Sequence, residues 1–458
     1  MTPAARPPAF VFDAASCVGC HACAIACINE HQLAPGTFWR QIVTFNPARV
    51  PGLPTWHLSL ACNHCLDAPC LRYGPARAIA RDERTGAVVI DEGRCIGCRY
   101  CSWVCAYDAP RFDVSRGVMQ KCTFCTHRLA VGFGPACASQ CPTGALAVGP
   151  FDGESTTVLG FPQADIRPAI RFVSRRGVAK ASAGDTMPGQ SPHPGGDTAG
   201  SAGVQGGDAA SFLRKISLRH EWSLVAFTLV AVVSVAWVSA SLLGGPRVRL
   251  APLIALGAAA MASSASHLGR PHRAWRAVLN WRRSWLSREV VAWAAFLGLA
   301  AMWLTTGAGS IGPGLVAAVV GLACLACVDR VYAVMARARR AILDDGAAVS
   351  AAVFLAGVLA GMSFLALAAG AYRLAAFVQR RGARDPGVPV SWWRHPMLRV
   401  GVGLLLPAAL WLAAPFWWWP ACVSCAFLGE ALDRADFYAS LDVETPARAT
   451  ARAFVALL

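Results

Sequence analysis

The chain has 458 residues, 55% of them hydrophobic and only 15% charged, which is too apolar for an ordinary soluble protein and long enough for two or more domains. The formal net charge is +16, but many of the cations border long apolar segments, which favours a membrane over a nucleic acid as the partner of the charge. Of 19 cysteines, 15 lie between Cys17 and Cys141 in tight groups, a clustering that argues for metal ligation and against a secreted disulfide framework.

The start, MTPAARPPAF, lacks the apolar run and the twin arginines of an export signal. Residues 1 to about 176 read as a soluble unit in which short strand-like runs, such as FVFD and AVVID, precede the cysteine groups. The first group is Cys17, Cys20, Cys23 and Cys27, spaced C-x2-C-x2-C-x3-C, and the third group, Cys95, Cys98, Cys101 and Cys105, repeats it. That is the bacterial ferredoxin run, in which three close thiolates wrap one cubane and the fourth serves a partner cluster. The second group is Cys62, Cys65 and Cys70, with Gly74 standing before Pro75 where a fourth cysteine is expected. The fourth group is Cys122, Cys125, Cys137 and Cys141. Zinc is the competing metal for a lone C-x2-C pair, but three cysteines in seven residues followed by another after x3 is not a zinc-ribbon spacing. His21, His64 and His127 read as exposed or packing histidines. Cys324, Cys327, Cys422 and Cys425 lie in apolar runs and read as small buried hydrophobes.

Residues 177–211 are rich in Gly, Ala, Ser and Pro and cannot bury a core. As a coil they would reach about 30 Å, a tether that does not fix geometry. Residues 212–458 contain 24 Lys and Arg against 11 Asp and Glu. Apolar stretches begin near Trp222, Leu250, Val290, Pro313, Ala347 and Val400, each about long enough to cross a ~30 Å hydrocarbon core, with a seventh near Trp418. Arginines before the first stretch, between the second and third, and after the fourth put those connections on one face, expected to be cytoplasmic together with the cysteine unit. RLAAFVQRRGARDPGVPVSWWRHPMLR breaks the pattern, because five spans put it on the opposite face. Either a span is missed there or the rule is locally broken.

The phrases CVGCHACAIACINEH, ACNHCLDAPC, CIGCRYCSWVCAYDAPRF and KCTFCTHRLAVGFGPACASQCPTGAL resemble the four-cluster ferredoxin subunit of the dimethyl sulfoxide reductase superfamily of molybdenum or tungsten bis-pterin enzymes. The phrases HEWSLVAFTLV, HLGRPHRAW, SWLSREV and GEALDRADFY resemble the anchor subunit of dimethyl sulfoxide reductase. The resemblance implies an α+β double bis-cluster ferredoxin-like domain followed by an all-α transmembrane helix bundle of 7–8 spans, in a multi-pass protein of the bacterial inner membrane. It implies four ligand sets. Cys17, Cys20 and Cys23 pair with Cys141, and Cys122, Cys125 and Cys137 pair with Cys27. Cys62, Cys65 and Cys70 pair with Cys105, while Cys95, Cys98 and Cys101 lack a fourth thiolate because Gly74 stands in its place. Three [4Fe-4S] clusters and one [3Fe-4S] cluster follow, or a fourth [4Fe-4S] cluster closed by water or another side chain.

Clusters carry electrons without making or breaking bonds, so a separate molybdopterin-containing catalytic subunit is implied, with the membrane quinone/quinol pool at the other end and no nucleic acid. His267, Arg270, Arg273, Arg288 and Glu289 are the candidate quinone-binding residues, at the membrane boundary where ionisable groups are functional candidates. Interfacial anchoring is the competing role for the arginines. The phrases resemble most the subunits of sulfur-compound enzymes, which leads to an expectation of sulfite or sulfur-oxyanion oxidation. The alternative is quinol-driven reduction of dimethyl sulfoxide or another S- or N-oxide, and a redox sensor or transporter is a different class of reading.

Overall fold

The computed structural model describes all residues except 1–7, 152–157, 163, 165, 174–215, 217, 307–310, 336–346, 383–399, 414–418, 442 and 458. The linker expected at 177–211 therefore lies outside the described residues.

The cysteine-rich unit is built from small sheets and short helices wrapped around the thiols. Strand β1 (Pro8–Phe12) is central in a three-stranded sheet, antiparallel to β8 (Leu146–Pro150) and parallel to β9 (Ile170–Phe172). The hairpins β2–β3 (Gln41–Phe45 and Trp56–Leu60), β4–β5 (Ile79–Arg81 and Val88–Ile90) and β6–β7 (Arg111–Asp113 and Val118–Gln120) are antiparallel. Helices α1 (Ala22–His31), α2 (Pro69–Tyr73), α3 (Tyr100–Trp103), α4 (Thr126–Ala130) and α5 (Ala136–Ser139) each carry or flank cysteines. Phe10, Phe12, Leu58, Phe124, Leu146 and Phe172 pack with the cysteines into one core.

The second unit is helical. It comprises α6 (Leu218–Leu242), α7 (Leu250–Ser266), a 3-10 segment Pro271–Val278, α8 (Trp285–Thr306) and α9 (Ile311–Ala333). Then come α10 (Ala347–Ala360), α11 (Ser363–Gly382), a π-helical turn Gly401–Leu405 leading into α12 (Leu406–Ala413), α13 (Trp419–Ser440) and α14 (Pro446–Val455). Among the described residues, three helices are long and apolar enough to cross a membrane: Glu221–Leu242, Trp285–Thr306 and Ile311–Ala333. Leu250–Ser266 with Pro271–Val278, bent by 107°, makes a fourth if counted as one span. Ala347–Ala360, Ser363–Gln379 and Gly401–Leu410 are apolar but shorter. Length and composition thus support three or four spans among the described residues and do not confirm the expected 7–8.

The single stretch expected from Ala347 is two helices. Gly361 takes a left-handed φ of 69°, and Gly361 and Met362 donate backwards to the Val358 and Gly357 carbonyls, which closes α10. The chain then reverses. A Cβ built on Gly357 would lie 2.8 Å from the Ala366 nitrogen, and Arg373 Nη1 reaches the Ala347 carbonyl at 3.2 Å, so α10 and α11 run antiparallel in contact. Asp329, buried on α9, accepts the amides of Ala348 (2.8 Å) and Val349 (3.3 Å) and so satisfies orphan donors at the start of α10. Arg373 also reaches Glu430 (2.6 Å) and Asp433 (2.7 Å) on α13, tying three helices together below the apolar surface.

The two ends of the bundle differ. At one end Gly245, after α6, packs against Leu359 and Ala360. At the other, the bundle meets the cysteine-rich unit directly: Tyr100 Oη donates to the Val331 carbonyl at 3.0 Å, and Ile216, Tyr100, Trp103 and Val104 share the helical core. The polypeptide also returns to the cysteine unit after α13. Helix α14, capped by Thr445, places Phe454 edge-on to Phe45 (5.6 Å) and donates from Thr450 to the Gly160 carbonyl (3.2 Å). The mutual geometry that the linker was not expected to fix is fixed by these contacts.

Candidate electron-transfer site

Four turns present the thiols, and they share one backbone device. The second residue after the leading cysteine of each group has a left-handed φ: Gly19 (68°), His64 (45°), Gly97 (72°) and Phe124 (59°). This conformation turns a backbone N–H towards the leading sulfur. Gly97 N lies 3.4 Å from Cys95 Sγ, and Phe124 N lies 3.4 Å from Cys122 Sγ. Glycine takes the conformation without cost in two turns. His64 and Phe124 adopt it against their side chains, a strain that points to a use for those side chains.

The thiols gather into four sets. Cys17 faces Cys20, Cys23 and Cys141. Cys27 faces Cys122, Cys125 and Cys137. Cys65 faces Cys62, Cys70 and Cys105, which line one cavity with Tyr107 and Lys121. Cys101 faces Cys95 and Cys98, with Cys70 and Cys105 beyond them in the neighbouring set. Among the described residues no three His, Cys, Asp or Glu side chains close around a single ion. Burial pushes Cys70 and Cys98 up to about 12. These are thiols that iron would have to deprotonate. Burial also opposes ionisation of Cys62, but His64 and Lys121 beside it outweigh that and bring it down to about 5. The all-thiol donor sets and the N–H groups aimed at sulfur fit iron–sulfur clusters.

Gly74 closes α2 with φ −59°, donates to the Cys70 carbonyl and carries no side chain towards the Cys95 set. That set lies in an apolar pocket of Ile96, Val118 and Met119, backed by Leu268 and Ala277 from the helical unit. The segment after α7 is moulded onto it. Arg270 N donates to the Ile96 carbonyl (3.1 Å) and Arg270 Nε to the Arg116 carbonyl (2.8 Å). Arg273 Nη1 reaches the carbonyls of Glu92 (2.9 Å) and Cys95 (3.2 Å). Asn280 Nδ2 bridges the carbonyls of Arg72 (3.1 Å) and Gly74 (2.9 Å). Gly97, Gly117 and Gly269 meet backbone to backbone, with no room for a Cβ on any of them.

The five candidate quinone residues do not form one cluster of free side chains. Arg270 and Arg273 are engaged in this docking. Arg288 lies over the Trp285 ring and donates to the carbonyls of Trp281 and Arg282. His267 caps α7 with its Nδ1 buried and without a hydrogen-bond partner. Glu289 is 6% exposed inside the bundle. Sequence reasoning missed what stands between them: Arg99 faces His267 and Glu221, and its neighbour Tyr100 faces Glu289. Beyond Glu289, Tyr332 bonds Tyr438, which lies 3.5 Å from Thr228. Arg99 and Tyr100 lie inside CIGCRYC, where the cysteine spacing is the dominant signal. Of the three histidines, His127 is exposed as expected and bonds Glu30 at 2.7 Å. His64 is buried between Cys62 and Cys122, which outweigh the effect of burial and raise it to about 9.

Residues 55–150 match the family model described as a 4Fe-4S dicluster domain, and residues 246–379 match that of the DMSO reductase anchor subunit (DmsC). The sequence is 36% identical over 169 residues to the B component of the anaerobic dimethyl sulfoxide reductase of Escherichia coli, covering 34% of this protein and 82% of the relative. It is 32% identical over 199 residues to the B component of the sulfite dehydrogenase of Allochromatium vinosum, covering 37% and 83%. It is 38% identical over 171 residues to the formate dehydrogenase iron–sulfur subunit of Wolinella succinogenes, covering 32% and 84%. With the cysteine turns and the docked helical unit on one polypeptide, the protein belongs to the dimethyl sulfoxide reductase family, as an iron–sulfur subunit fused to its membrane anchor subunit.

Proposed function

We propose that this subunit relays electrons between a molybdopterin-containing catalytic partner and membrane quinone, through three [4Fe-4S] clusters and a [3Fe-4S] cluster held by Cys95, Cys98 and Cys101. The observation that carries the reading is the moulding of the His267–Ser284 segment onto that last cysteine set, which leaves no protein layer between the end of the cysteine relay and the boundary of the helical unit. The clusters supply one-electron steps when bound. The protein's own residues set the path. The thiolates hold the irons, backbone N–H groups at Gly97 and Met119 polarise the Cys95 sulfur, and the apolar shell keeps water from the set.

At the boundary, His267 offers an unpartnered ring nitrogen, and Glu289 a buried carboxyl on the far side of the Arg99–Tyr100 turn. Quinone reduction takes up two protons with two electrons, and an imidazole and a carboxyl can each hand one on. Arg270 and Arg273 hold the site in place, and Arg288 serves as its interfacial anchor. The domain limits follow the same reading: 1–176 as the cluster domain, 177–211 as a tether and 212–458 as the anchor.

With the reversal at Gly361 and the shorter helices included, we read the helices of the described residues as eight passes of the bundle. An even number returns α14 to the cluster face; the arginine-rich stretch at 383–399 lies outside the described residues. On this reading the cluster domain faces the cytoplasm. A cytoplasmic site suits oxidation of sulfite or another sulfur oxyanion with electrons passing to quinone. Quinol-driven reduction of dimethyl sulfoxide or a related oxide is the second reading, favoured by the named function of the Escherichia coli relative. The test is to purify the complex anaerobically and supply each pair of substrates. Sulfite-dependent quinone reduction by a co-purifying molybdenum subunit is expected. Quinol-dependent S-oxide reduction alone would establish the second reading, and purification without any molybdenum subunit would refute both.

A further inference from the structure

One gap between neighbouring cysteine sets is occupied by a buried cation. Arg40, just before β2, is 2% exposed and is among the largest fully buried side chains of the molecule. Its Nη1 donates to the Ser59 carbonyl (3.1 Å) and hydroxyl (3.0 Å), and its guanidinium carbon lies 4.4 Å from the centre of the Phe10 ring. These contacts fix the plane of the group. Nε and Nη2 are buried without a nitrogen or oxygen acceptor, and the Cys137 sulfur is the acceptor within their reach. Around them stand Cys23 of the first set and Cys27, Cys122 and Cys137 of its neighbour. A guanidinium stripped of water with two idle donors is costly unless something accepts from it. The next gap holds Lys121, but that ammonium already donates to the carbonyls of Val88 and Cys122. Of these two cations, Arg40 is the one with two buried donors left over.

We propose that Arg40 is a positioning residue for electron transfer, whose Nε–H and Nη2–H donate to sulfur atoms of the two neighbouring clusters and whose charge raises the potentials of both. The proposal rests on the reading of the cysteine sets as cluster sites. Reduction adds one electron to a group already made anionic by its thiolates. A fixed cation in a dry surrounding favours the reduced form. Arginine keeps its proton throughout, so the step moves one electron and no proton. The cluster of Cys95, Cys98 and Cys101 sits in a separate core, and none of those cysteines is among the ones that stand around Arg40.

The test is an anaerobic redox titration of the whole complex followed by electron paramagnetic resonance, with Arg40→Met and Arg40→Lys. Iron content is measured first; a wild-type protein without iron would refute the cluster reading itself rather than this proposal. With clusters retained, Arg40→Met is expected to shift two midpoints downward by at least tenfold in the one-electron equilibrium, about 59 mV, and to leave the Cys95-set signal in place. Arg40→Lys, which keeps the charge but not the planar fork, should shift them less. Unchanged midpoints in Arg40→Met overturn the proposal. If the variants fail to load iron, pulsed resonance on the unmutated protein decides. Arginine labelled with 15N should couple to the reduced clusters, and no coupling overturns the proposal.

Discussion

Gly269→Ala should separate the cluster domain from the membrane unit where they touch most closely. A methyl group at this position would sit 2.1 Å from the Gly117 carbonyl oxygen and 2.7 Å from its carbon. That is about 1.4 Å short of an ordinary contact of about 3.5 Å. Both neighbours are backbone, so no side chain can swing aside, and Gly269 has no left-handed φ that would add a separate strain. An opening of this size stretches three bonds past their limit: Gly269 N to the Gly97 carbonyl, Arg270 N to the Ile96 carbonyl and Arg270 Nε to the Arg116 carbonyl. Two neutral bonds at about 1 kcal/mol and one charged bond at about 2 kcal/mol amount to roughly 4 kcal/mol. That corresponds to roughly a 10²–10³-fold loss in the docked population relative to the undocked one. Hydrogen exchange read on peptides covering 266–274 should accelerate by a similar factor. Quinone-linked turnover should fall while dye-linked turnover and iron content hold. Wild-type protection and wild-type quinone turnover in the variant would refute the argument that this contact couples the two units.

The oxidised, anaerobically prepared protein should give a [3Fe-4S] resonance, and Gly74→Cys should remove it and add one iron to each molecule. The new Cβ meets the Cys70 carbonyl at 2.9 Å, so the loop must give by a few tenths of an ångström, and an oxidised wild type with sixteen irons and no signal sinks the assignment. His267→Ala should abolish quinone turnover with cluster content and dye activity intact, and unchanged quinone turnover would move attention to Glu289. Arg373→Leu removes the cation that Glu430 and Asp433 share and should cost about 3–5 kcal/mol, seen as a lower unfolding temperature in detergent. Protease added to right-side-out vesicles should leave residues 177–211 uncut, and cutting there but not in inverted vesicles would reverse the orientation.

The cysteine turns were legible because each group lies within nine to twenty residues of local sequence, where spacing and geometry are nearly the same information. The sets themselves needed the family pattern, since Cys27 and Cys141 meet partners a hundred residues away. The extra reversal near Gly361 was missed although the sequence carried a signal. The apolar run from Ala347 to Val378 is about twelve residues longer than one crossing needs. The docking surface was illegible for a different reason. It is made by backbone carbonyls and three glycines from separate parts of the polypeptide, together with Asn280, a lone polar residue among tryptophans and arginines. Nothing about Arg40 in the run FWRQIVTF foretells its burial, because what surrounds it arrives from four distant segments.

The return of α14 to the cysteine-rich unit has a consequence for biogenesis. Helix α14 is synthesised after every apolar helix, yet it covers Phe45 and Gly160, which belong to the unit made first. That unit leaves the ribosome with this patch bare, and the patch is covered only once α13 has returned to the same face. Inserting the anchor and completing the surface of the soluble unit thus become one event. A polypeptide stalled during insertion exposes Phe45 and the neighbouring Trp56 ring stacked on it, an aromatic flag by which a chaperone or protease could tell an unfinished molecule from a finished one.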